Sequence, residues 1–110
     1  VAFDEGLAER VREIMAAEAG MYERKMFGGI GWMVHGNLAV GIIGEDLMVR
    51  VGPDAYEAAL AKPHARVMDF TGKGLKNLVY VAPEGVKTKR ALVAWIKRGT
   101  DFVHTLPRKG

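Results

Sequence analysis

The chain has 110 residues, enough for one domain with its own core, and its 49% hydrophobic and 26% charged content is that of a globular protein rather than a disordered or collagen-like one. No apolar run reaches the ~18–20 residues of a membrane span. With neither cysteine nor serine, disulfides, thiolate metal sites and Cys or Ser nucleophiles are excluded. The formal net charge of +3 conceals a division: residues 1–65 carry 6 basic and 10 acidic side chains, residues 66–110 carry 10 and 3.

Asp4 or Glu5 opens a predicted helix in which Leu7, Val11, Ile14 and Met15 recur on one face, with Gly20 as its stop. Val1 to Glu18 is amphipathic and acidic, so no signal peptide is expected. Met21 to Phe27 leads into a glycine-rich stretch containing three short apolar runs, Ile30–Val34, Leu38–Ile43 and Leu47–Val51. His35-Gly36-Asn37 and Gly44-Glu45-Asp46 separate them. Glycine and asparagine tolerate positive φ, so the economical reading is three antiparallel strands in a meander.

Gly52-Pro53-Asp54 starts a short second helix that ends before Pro63. Arg66–Phe70 and Leu78–Val81 read as two more strands. A last helix runs from about Val86 to Val103, with Leu92, Trp95, Ile96, Gly99, Phe102 and Val103 on one stripe. The expected order is α-β-β-β-α-β-β-α, an α+β fold of two layers: a five-stranded antiparallel sheet with helices on one face.

Candidate chemistry is sparse. Gly28-Gly29-Ile30-Gly31 lacks the Lys-Ser/Thr of a phosphate loop and precedes a strand, so it reads as a bend that needs glycine. Gly41 reads similarly, as a bend or a place where Trp95 lies over the backbone. His35, His64 and His104 stand far apart in the chain and give no metal-ligand spacing, and neither metal nor cofactor is expected. Glu45 and Asp46 fall in a turn where carboxylates are solvated. The aromatics read as core, while Met33 and Met48 are candidates for an exposed sheet face that meets a partner. Lys73, Lys76, Lys87, Lys89 and Arg90 form the densest basic group, a candidate surface for an anion or an acidic partner.

At Lys25-Met26-Phe27-Gly28-Gly29 the chain resembles the N-terminal domain of the TfoX/Sxy family, whose mark is Arg/Lys-Met-Phe-Gly-Gly. Gly36-Asn37-Leu38-Ala39, Asp46-Leu47-Met48-Val49-Arg50-Val51 and Tyr80-Val81-Ala82-Pro83 are similar too, so the resemblance spans about residues 5 to 107. It implies a fold like that of type III secretion chaperones. It also implies a kinship with regulators of natural competence that act with the cAMP receptor protein at promoters and are not known as enzymes.

The expectation is thus a single domain over residues 1–110, without the separate C-terminal domain of the family's two-domain members. It is read as a non-enzymatic, cytoplasmic regulatory or protein-interaction module. Its expected partner is another protein, a transcription regulator being the class the resemblance suggests. No membrane is involved, and a homodimer is compatible with the sequence. The alternative is an accessory nucleic-acid-binding protein that uses the basic C-terminal half, with weak, non-specific affinity. A small enzyme of unknown reaction is the third reading.

Overall fold

The computed structural model describes residues 3–26, 28–67 and 77–108. Helix α1 (Glu5–Met15) begins where the Asp4 carboxylate accepts a hydrogen bond from the N–H of Leu7 at 3.2 Å, an N-cap that satisfies one orphan donor. Its apolar face buries Leu7, Ala8, Val11 and Met15. After Gly20, at φ +74°, the chain enters β1 (Met21–Met26), followed by β2 (Gly29–Val34), β3 (Asn37–Ile43) and β4 (Asp46–Arg50). Helix α2 (Tyr56–Leu60), strands β5 (Ala65–Val67) and β6 (Leu78–Val81), a 3-10 turn (Pro83–Val86) and helix α3 (Lys89–Val103) complete the order.

All strand pairs are antiparallel, and the sheet reads β1-β2-β3-β4-β6-β5. The α+β class, the antiparallel sheet and the helices on one face agree with the sequence reading. The strand count does not: the sheet has six strands, not five. The additional one is β1, at an edge. Its residues Tyr22 to Lys25 are exposed on both faces, so it lacks the apolar alternation that marks a half-buried strand. Two helix starts also move. Pro53 lies in a turn ahead of α2, which begins at Tyr56, and the proline-led segment before α3 is a 3-10 turn. α3 itself starts at Lys89, capped by the Thr88 hydroxyl, which accepts from the N–H of Ala91 at 3.1 Å. The strand expected at Arg66–Phe70 is described through Val67, and its remainder lies outside the described residues.

Strand register divides the side chains between two faces. Ile30, Trp32, Val40, Ile42, Leu47, Val49, Val79 and Val81 share the face on which the helices pack, and form the core with Leu7, Val11, Leu92, Trp95 and Ile96. Trp95 is 7% exposed, as its place on the helix stripe requires. α3 lies close on the sheet at Gly99, where a Cβ would lie 2.5 Å from the carbonyl oxygen of Ala39. Ala39 sits where the β2–β3 register shifts, a bulge that turns this backbone toward the helix. Beyond α3, the Nδ2 of buried Asn37 donates to the carbonyl of Pro107 at 2.9 Å and holds the C-terminal segment to the β2–β3 turn.

Candidate functional site

The glycine-rich motif closes a hairpin. Lys25 and Met26 end β1, Gly28 turns at φ +76° with open space beside it, and Gly29 begins β2 opposite Met26. Phe27 lies outside the described residues. A side chain on Gly29 would overlap the carbonyl oxygen of Ile42, so the second glycine is required by the passing backbone of β3. Gly28 is explained by its left-handed backbone.

The sheet face opposite the helices is built differently. A row of cross-strand neighbours, Arg66–Tyr80–Met48–Gly41–Gly31–Arg24, crosses the whole sheet, with cations at the ends and apolar groups and glycines between. The Met48 methyl occupies the space a Gly41 side chain would take, and Met26 and Leu38 do the same at Gly31. Gly41 is therefore explained by Met48, not by Trp95, which lies on the other face. Met33 and Met48 are on the helix-free face as expected, but both are buried, at 6% and 0% exposure, rather than free to meet a partner. Tyr22, at 47%, is the large exposed apolar side chain there, and Met26, Leu38, Ile43, Leu78 and Tyr80 are half-buried.

Charges frame this face. The Arg66 guanidinium donates to Asp46 at 2.5 Å and stacks 4.9 Å from the centre of the Tyr80 ring. The bond to Asp46 raises the Arg66 pKa above its ordinary value; burial, with Asp46 adding to it, raises that of Tyr80. Asp46 is thus an ion-pair partner, not simply a solvated turn carboxylate. On the helix side of β1, Glu23 accepts from Arg12 Nε at 2.5 Å and from its Nη2 at 3.1 Å, while Glu9 accepts from Nη1. The hydrogen bond from Arg12 holds the Glu23 carboxyl below the usual glutamate range. Beneath, Trp32, the cross-strand neighbour of Glu23, is fully buried; its Nε1 closes no hydrogen bond of normal geometry among the described residues, but lies near enough to the Glu23 carboxylate to help hold it ionised.

Of the basic group, Lys87, Lys89 and Arg90 come together, exposed, where the 3-10 turn passes into α3. Nearby, Arg10 Nη2 donates to the carbonyls of Val86 and Lys87 at 2.8 and 3.2 Å, tying α1 to that junction. Lys73 and Lys76 lie outside the described residues. The histidines stay apart: His35 and His64 occupy positive-φ positions, and His104 pairs with Glu18 at 2.7 Å. Among the described residues no three potential ligands gather around a metal position. An open groove of about 500 Å³ runs between the segment after β4 and the end of α3, lined by Gly52, Asp54, Arg98, Asp101 and Phe102 among others.

Sequence reasoning missed the β1 edge. The hydrogen bond from His35 N to the Gly20 carbonyl fixes the phase of the β1–β2 ladder, so Tyr22, Arg24 and Met26 bond to β2 while the N–H and C=O groups of Met21, Glu23 and Lys25 face outward. Glycine-free, proline-free extension over Met21–Met26 was the available signal.

Among the described residues no helix is long and apolar enough to cross a membrane. No curated protein and no solved structure matches the chain. The model of the TfoX N-terminal domain matches residues 13–103, from within α1 to the last residue of α3, and at the family level this supports a regulatory, competence-related module. The chain belongs to the TfoX N-terminal domain family.

Proposed function

We propose that this protein is a non-enzymatic regulatory module that works by binding another protein through the helix-free face of its sheet, its partner being of the transcription-regulator class. One observation carries the reading. The described helices pack on a single face, leaving Tyr22, Met26, Ile43 and Tyr80 partly exposed between Arg24 and the Asp46–Arg66 pair, an apolar centre with a charged rim. Capture of binding proteins from a native lysate, with and without nuclease, tests it. The expected result is a nuclease-resistant partner that Tyr22→Glu loses and Lys89→Glu/Arg90→Glu keeps.

The exposed Lys87, Lys89 and Arg90 favour a second reading, a nucleic-acid accessory role. They stand at a helix N-terminus, where the dipole opposes cations, and three positive charges neutralise few phosphates. A gel-shift titration at about 150 mM salt should find a dissociation constant of roughly 10⁻⁴ M or weaker. Submicromolar binding lost on charge reversal at these three residues would put the second reading first.

A further inference from the structure

We infer that β1 pairs with β1 of a second copy of this chain about a twofold axis, joining two six-stranded sheets into one. The inference rests on the interaction-module reading and names one partner for its edge.

The geometry begins with the backbone. β1 is a full six-residue edge strand in unbroken register with β2, and the groups of Met21, Glu23 and Lys25 that point away from β2 form a regular template. The opposite edge, β5, carries Arg66, which is already engaged with Asp46.

A twofold perpendicular to the sheet keeps each copy's faces continuous, so outward-pointing residues pair with outward-pointing residues. The allowed registers are therefore few, and charge sorts them. Centring the axis on Glu23 sets Glu23 against itself; centring it on Lys25 sets Lys25 against itself. Centring it on Arg24 sets Glu23 opposite Lys25 twice, and Tyr22 opposite Met26 twice on the other face. Like charges directly opposite are destabilising and unlike ones favourable, so the Arg24-centred register is selected.

The helix side reinforces that choice. Glu9, Arg12 and Glu23 already form an ion-pair cluster with one negative charge in excess, and an incoming Lys25 would neutralise it. The one like pair, Arg24 with Arg24, lies on the helix-free face, where each long arm can turn toward the diagonal Tyr22 ring of the other copy. Charged edge residues usually discourage pairing. Here the Arg24-centred register is the one that sets two unlike pairs against a single like pair, and the resulting dimer makes the two helix-free faces a single surface.

Sedimentation equilibrium of the whole chain across a concentration series tests this, with circular dichroism to verify folding. Wild type should show a monomer–dimer equilibrium. Glu23→Lys and Lys25→Glu should each self-associate about tenfold more weakly or worse, because each inverts two cross-strand pairs. Mixing the two variants should restore association, since every inverted charge then meets its opposite. Lys25→Pro, which removes an outward N–H and the Lys25 charge but no hydrogen bond to β2, should fold and remain monomeric. A wild type that is monomeric throughout, a dimer indifferent to Lys25→Glu and Lys25→Pro, or a mixture no tighter than its components would overturn the inference. The nuclease-resistant capture that Tyr22→Glu abolishes would persist in the first case if the interaction-module reading stands, and vanish if that reading fails as well.

Discussion

The two faces of this sheet solve the same burial problem by different means. On one, β-branched and aromatic residues such as Trp32, Ile42 and Val79 are covered by helices, with Trp95 and Leu92 interlocking from above. On the other, glycines at 31 and 41 lower the floor, and Met26, Leu38 and Met48 lie across it; Met48 reaches complete burial on a face where no described helix packs. The comparison teaches that a buried methionine need not belong to the helix-backed core. Unbranched side chains can roof a glycine strip and leave the outer layer polar or aromatic.

The largest expected effect falls on the helix-covered face. Trp95→Ala removes the biggest side chain of α3 from the core between that helix and the sheet, and should cost about 3–5 kcal/mol in chemical denaturation, enough to unfold a marginal domain. A loss under ~1 kcal/mol would mean that the helix layer contributes little to holding its face of the sheet. Gly29→Val, at the hairpin leading into the glycine strip, should cost about 1–3 kcal/mol because the Ile42 backbone has nowhere to go. An unchanged melting temperature would show that the motif is not structural.

The smallest effect concerns the join between α1 and β1. Glu23 has its pKa lowered by Arg12, so the unfolded chain binds that proton more tightly than the folded one. The stabilisation is present at neutral pH and is lost as pH falls through the ordinary glutamate range toward the depressed folded value. Both groups are partly exposed, so water and salt screen the pair and the effect is small. Thermal unfolding of wild type and Glu23→Gln should differ slightly at pH 7 and converge as the pH falls below the ordinary glutamate range; equal stability throughout would show the pair to be energetically silent.

Much of this fold was legible because its signals are local. The periodicity of Leu7, Val11 and Met15, the stripe through Trp95 and Ile96, and the turns at His35-Gly36 and Gly44 all lie within a few residues of what they determine. β1 was not legible, since a strand wet on both sides has no period to detect. Nor was the occupant of the Gly41 space, because Met48 arrives there through cross-strand register, which no short window contains. The same holds for the candidate site. The Lys25-Met26-Phe27-Gly28-Gly29 motif could be seen in the sequence, but the outward phase of Glu23 and Lys25 depends on a bond from His35 to Gly20.

Trp32 has one more consequence. Its indole is sealed from solvent, and it lies directly across from Glu23, the anchor of α1. An indole in such dry surroundings emits at short wavelength, whereas water admitted beside it shifts the emission red. Trp95, the second of the chain's two tryptophans, stacks under the Arg98 guanidinium at 5.3 Å. The protein therefore carries its own optical gauge: loosening of α1 should redden the Trp32 component first, separately from the collapse of the α3 packing.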